Sequence, residues 1–173
     1  MDFYEAVAAR RSCRAYKSEK IGKDVLDRIL SAFRQAPSWK NMQCWHLIQV
    51  SDPELKKQLG VVMQDNPSPT AYTKAPYVFV LCADPAESGN VDGKPYYMTD
   101  CGIALEHFCL AAAAEGLGTC WVGWFEEEPV RKQLHIPAHL RVVALTPLGV
   151  PDSGCYRDRP RRDTDDIVHE NIW

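Results

Sequence analysis

Apolar residues recur along this chain in two rhythms, one near every third or fourth position and one nearly continuous. Asp2 is placed to cap a helix over residues 2–9, with Phe3 and Val7 on one face. Val25, Leu26, Ile29, Leu30 and Phe33 keep helical spacing over 24–34, and Ala36-Pro37 ends that stretch. Residues 45–50 read as a strand. Ser51-Asp52-Pro53 then starts a helix carrying Leu55, Leu59, Val62 and Met63. Pro67, Pro69 and Pro76 make 64–76 a loop, and 77–82 is apolar enough to be a central strand. A second Pro/Gly-rich loop covers 83–95. Residues 96–115 are apolar on most sides, as expected of a buried central helix closed by Gly116. A strand at 119–123, a short acidic-started helix at 126–134 and a strand at 140–148 containing Pro147 complete the order.

That order predicts an α+β fold, a small mixed central sheet flanked by helices. It is expected as one domain over 1–173, with 151–173 as a C-terminal tail. The tail holds Arg157-Asp158-Arg159-Pro160-Arg161-Arg162 and ends Ile167-Val168-His169-Glu170-Asn171-Ile172-Trp173. Apolar residues at such an end favour a tail that packs on something. No GxGxxG or GxxxxGKS loop occurs, so a Rossmann or P-loop nucleotide site has no support.

Composition narrows the function classes. The chain has 173 residues and a net charge of -3, which argues against a nucleic-acid partner because no excess of cations exists to neutralise a polymer. There is no apolar run of membrane-spanning length, and charges at Asp2 and Glu5 argue against a signal peptide. The seven cysteines lack a Cys-x-x-Cys pair, and several (Cys82, Cys109, Cys120) sit in apolar runs. They are read as reduced and structural, in a cytoplasmic protein. His135 and His139 are four apart, but Pro137 between them breaks helical register, so no metal site is expected.

Four segments could carry chemistry. Arg10-Arg11-Ser12-Cys13-Arg14 packs three cations and a hydroxyl into five residues. If extended, it points Arg10, Ser12 and Arg14 to one side as a cradle for a small anion. A solvated basic helix end is the competing reading. The stretch from Ala36 to Trp45 offers Ser38, Asn41 and Gln43 to a heterocycle, or is simply a capped polar turn. Gly116–Phe125 carries glycines that would let backbone approach a flat ligand, or is a helix cap before a core strand. The tail arginines form a second basic cluster or a solvated charge run.

Together, in this order, the segments resemble the nitroreductase family of flavoproteins. The matching residues are Arg10, Arg11, Ser12 and Arg14; then Ala36, Pro37, Ser38, Asn41, Gln43 and Trp45. Gly116 through Gly123, Pro147-Leu148-Gly149 and the closing Arg-Arg and Ile-Val-His segments follow. The resemblance implies an intertwined homodimer with noncovalent FMN at its interface and NADH or NADPH as electron donor. It implies an enzyme that reduces nitroaromatics, quinones or related small acceptors in two half-reactions. Deiodinase- or ene-reductase-like chemistry and a non-catalytic flavin-binding protein are the alternatives.

By resemblance, Arg10, Arg11, Ser12 and Arg14 would hold the phosphate and Arg161 and Arg162 would close over it. Pro37, Ser38, Asn41 and Gln43 would reach the flavin from the partner subunit. The backbone of Trp121, Val122, Gly123 and Trp124 would face the ring near N5 and O4. No catalytic side chain is implied. Two residues depart from the family pattern. Cys44 replaces the usual proline, implying a more flexible loop. Trp39 replaces a small residue and would narrow the substrate side. The loops at 64–76 and 83–95 are short, implying a small or open lid.

Overall fold

Strand β2 (Tyr77–Ala83) lies in the middle of the sheet, and its alternation decides what covers each side. The computed structural model describes residues 1–63, 67–157 and 159–173. Phe79, Leu81 and Ala83 enter one apolar cluster, whereas Val78, Val80 and Cys82 enter another. Helices α2 (Lys23–Arg34) and α5 (Tyr96–Ala114) fill the first side. Helices α3 (Pro53–Val62) and α6 (Glu127–Leu134) supply Leu59 and Val130 to the second. The result is the predicted α+β sandwich of helices about a small sheet.

The four-stranded sheet runs in the order β1 (Trp45–Val50), β2, β6 (Arg141–Gly149) and β5 (Gly118–Thr119). The named strands all pair antiparallel, where a mixed sheet was expected; the parallel pairing of Ser12 with Thr119 is an isolated bridge outside the named strands. A register shift at Leu81/Cys82 bends β6 against β2. Pro147 is accommodated within β6, opposite Val78.

Three sequence expectations need correction. The stretch 64–76 is not all loop: helix α4 (Pro69–Lys74) forms there, with proline at its first position, and buries Ala71 and Tyr72. Gln64, Asp65 and Asn66 lie outside the described residues. The stretch 83–95 holds a 3₁₀ turn (Pro85–Glu87) capped by Asp84, then a hairpin of β3 (Asn90–Val91) and β4 (Lys94–Pro95) around Asp92-Gly93. The strand expected over 119–123 stops at Thr119. The buried Thr146 hydroxyl takes the Cys120 N–H at 3.1 Å in place of a ladder carbonyl, and only Val122 returns to pair, with Leu145.

Helix α1 (Phe3–Ala9) has the predicted Asp2 cap, made reciprocal by Glu5. It buries Ala6 only, leaving Phe3, Tyr4 and Val7 exposed. Gly116, at φ +74°, closes α5 as expected: its N–H and that of Leu117 donate to Ala113 and Ala112. All seven cysteines are free and buried.

Candidate functional site

The arginine cluster leaves the helix and becomes extended backbone. Arg10 ends α1 with φ -59° and ψ 117°, its N–H still bonded to the Ala6 carbonyl. Beyond it the chain is sewn down on both sides. Cys13 N–H donates to Thr119 at 2.7 Å, and Arg14 N–H donates to Cys155 at 3.0 Å. Lys17 N–H reaches Val150, and Asp152 N–H reaches Ala15. Cys13 is fully buried, and its neighbours Ser12 and Arg14, on the other side of the extended backbone, are half-buried. The alternation ends there, because Tyr16 is buried as well. The Tyr16 hydroxyl locks the turn by donating to the Cys13 carbonyl at 2.9 Å.

The same ladder brings the tail across. Because residue 155 pairs with residue 14, the next residues pass beside the cluster. Arg10, Arg11, Ser12, Arg14, Arg157, Arg159 and Arg161 line one cavity of about 70 Å³. Six arginines and one serine thus surround a space the size of a single small anion. Among the described residues, the ion pair to this group is Arg10 Nε to Glu106 Oε1 at 3.3 Å. Burial raises the Glu106 pKa and Arg10 opposes that shift. Beneath the cavity, burial pushes the Cys120 thiol up while Arg14's charge and the Ser12 hydroxyl draw it back. Like charges this dense are relieved by an anion.

Of the two tail arginines expected to close over the phosphate, Arg161 lines this cavity and Arg162 does not. Its Nη2 donates to the Asp166 carbonyl of the 3₁₀ turn Thr164–Asp166. Arg157 and Arg159, not among the residues expected to bind, line it as well. Their signal was present in the sequence: 157, 159 and 161 are spaced by two, so an extended tail puts them on one side. Asp158 lies outside the described residues.

The second segment is a strained polar turn. Lys40, Asn41 and Gln43 all have positive φ (47°, 58° and 54°). Asparagine tolerates this region, but each of the other two costs about 1–2 kcal/mol. The turn is held from within: Ser38 Oγ accepts from Gln43 N–H at 2.9 Å, and Gln43 Nε2 donates to the Asn41 carbonyl at 3.3 Å. Pro37, Asn41 and Gln43 are exposed and Ser38 is half-buried. The Trp39 ring does not hang free: it lies 4.6 Å from Tyr96, centroid to centroid. Cys44 is buried with its thiol 3.7 Å from Asp100 Oδ2, a tie a proline could not make; the loop is therefore anchored at the place where flexibility was expected.

In the third segment Val122 is buried, and both its backbone groups are bonded to Leu145 at 2.9 Å. Its N–H is therefore spent within the fold. Gly123 and Trp124 are exposed at the sheet edge, with Trp124 at 73 % exposure and Trp121 at 40 %. Among the described residues, none of 37–43 or 121–124 lines the arginine cavity. One chain therefore presents these three segments separately. Among the described residues no group of three or more His, Cys, Asp or Glu is placed to hold a metal ion, and no helix is long and apolar enough to cross a membrane.

Comparison with known proteins gives one answer. The model of the Nitroreductase family matches residues 7–72 and 64–150. An NADH dehydrogenase/NAD(P)H nitroreductase of Archaeoglobus fulgidus is 32% identical over 177 residues, covering 96% of each chain. The crystal structure of a nitroreductase family protein from Clostridium novyi NT superposes with a TM-score of 0.84 at 41% identity, covering 87% of each chain. An iodotyrosine deiodinase solved with FMN and 3-iodo-L-tyrosine shares the fold, with a TM-score of 0.86, at 23% identity, over 99% of this chain and 100% of its own.

Proposed function

We propose that this chain, which belongs to the nitroreductase family, is an FMN-dependent oxidoreductase. It takes electrons from NADH or NADPH and delivers them to a nitroaromatic, quinone or related small acceptor. The observation that carries this reading is the cavity of six arginines and Ser12, whose size and charge fit one terminal phosphate. FMN, when bound, would supply the electron relay between donor and acceptor.

The chain's own residues bind and orient. Arg10, Arg11, Ser12, Arg14, Arg157, Arg159 and Arg161 hold the phosphate. Ser38, Asn41 and Gln43 offer donors and acceptors to the polar edge of the ring system, and the strained turn fixes them in place. At the sheet edge, the Gly123 and Trp124 N–H groups are the donors left to stabilise negative charge on the ring. No side chain is assigned as an obligate acid or base.

The three pieces meet when a second copy completes the site. The exposed Phe3 and Met1 line an open groove of about 480 Å³ with Leu110 and Ala111 of α5. A homodimer covers this apolar face and gives the exposed tail, with Ile167, Ile172 and Trp173, something to pack on.

The test is direct. Purified protein is expected to be yellow with the absorption of oxidised FMN, to elute as a dimer, and to bleach on rapid mixing with NADH or NADPH. A colourless protein that takes up no added FMN overturns the reading. A yellow protein that neither donor bleaches is a binding module, not an enzyme.

A further inference from the structure

We propose that Asp100 is a positioning residue: its buried carboxylate locks the 38–44 turn and the 84–96 segment into one rigid unit. Only the description of that turn as flavin-facing rests on the function proposed above.

Asp100 lies in α5 and is 3% exposed. Its two oxygens accept from both segments. Oδ1 takes the Trp39 N–H at 2.9 Å; Oδ2 takes the Ser88 hydroxyl at 2.8 Å and the Cys44 thiol at 3.7 Å. Among the described residues it has no ion-pair partner, so these donors are what offset its removal from water. The donors bracket the strained turn: Trp39 precedes its three positive-φ residues and Cys44 follows them. Backbone torsions of this kind persist only where the surroundings over-determine them.

The second segment is fastened to the same point. Asp84 N–H donates to the Cys44 carbonyl at 2.9 Å, and Tyr96 N–H donates to Gly89 at 2.8 Å. The Trp39 ring presses on Gly89 so closely that a Cβ there would overlap its Cε2 and Cδ2. Turn and hairpin are therefore held together for as long as Asp100 keeps its bonds. Asparagine would still accept from Trp39, but it would turn an N–H₂ group toward two donors. A carboxylate meets all three.

Hydrogen exchange on the ligand-free protein isolates this claim. Asp100→Asn is expected to speed exchange at 38–44 and 84–96 by about tenfold or more, the size of losing hydrogen bonds to a charged group, with β2 amides unchanged. Ser88→Ala, which keeps the carboxylate, is expected to speed exchange at 84–89 by a smaller factor. With FMN bound, Asp100→Asn is expected to shift the flavin's midpoint potential and visible circular dichroism, which a merely structural residue would leave alone. Unchanged exchange in both segments overturns the proposal, and so does loosening with an unshifted potential. If Asp100→Asn does not fold, Ser88→Ala decides: faster exchange at 84–89 supports the tie, and unchanged exchange there overturns it. Absence of FMN binding by the wild type would sink the flavin reading while leaving the exchange result to judge the lock.

Discussion

Arg14 shows how one side chain acquires its role from its neighbours' bonds. Its N–H is pinned to Cys155 and its Nη1 donates to the Ser12 carbonyl at 3.2 Å, so the guanidinium is held at the cavity wall before any ligand arrives. Lys17, three residues on, is half-exposed and pairs with Glu19 at 3.6 Å in solvent. Arg14→Ala is therefore expected to weaken FMN retention by about tenfold or more, since a hydrogen bond to a charged group is worth about 1.5–3 kcal/mol. Lys17→Ala is expected to change it little. Equal dissociation constants for the two variants, by fluorescence titration, would remove the phosphate cradle. The types at 10, 11, 12 and 14 were readable in the sequence. That 157, 159 and 161 fall on one side was readable from their spacing by two; that this side faces the Arg10–Arg14 segment depended on where the tail runs, which no local pattern encodes.

Strand β5 is the element on which the site hangs. It is two residues long, yet it joins β6 to the Ser12 bridge, so the arginine segment is referenced to the sheet. Gly118 makes the join possible: a Cβ there would sit 2.7 Å from both Cys13 Cβ and Sγ, with Pro151 at 3.2 Å. Gly118→Ala is expected to cost about 1–3 kcal/mol by overpacking and to lower Tm by several degrees. An unchanged melting curve would show that the join is loose. The helices were legible at this scale because their apolar spacing is long and regular. Helix α4 and the β3–β4 hairpin were not. Proline-rich spacing marks where a chain turns, but the burial of Ala71 and Tyr72 that makes α4 worthwhile is tertiary.

Across the whole molecule, the buried thiols fix a direction for pH dependence. Burial pushes Cys13 and Cys109 up to about 12, and Cys44 and Cys82 up to about 11, from an ordinary 9.0. Burial also raises Tyr16. Above pH 9 the unfolded chain releases these protons while the folded chain keeps them, so the unfolded state binds fewer. Stability from this source is complete below pH 9 and is lost as pH rises toward 11–12. The urea midpoint is expected to hold to about pH 8 and fall steadily from pH 9 to 11; a flat midpoint through pH 11 would contradict the burial of these thiols. By itself the sequence determined the α+β order, the central strand, the buried helix, the cluster types and the family likeness. Those follow from local periodicity and residue chemistry, which are written along the chain. Only the tertiary structure decided that three of the tail arginines share a cavity with Arg10, Arg11 and Arg14 and that Val122's backbone is spent. It alone showed that Asp100 ties together two segments dozens of residues away from and beside it. Such facts depend on which distant backbones pair, and pairing is settled by the packing of the whole core rather than by any window of sequence.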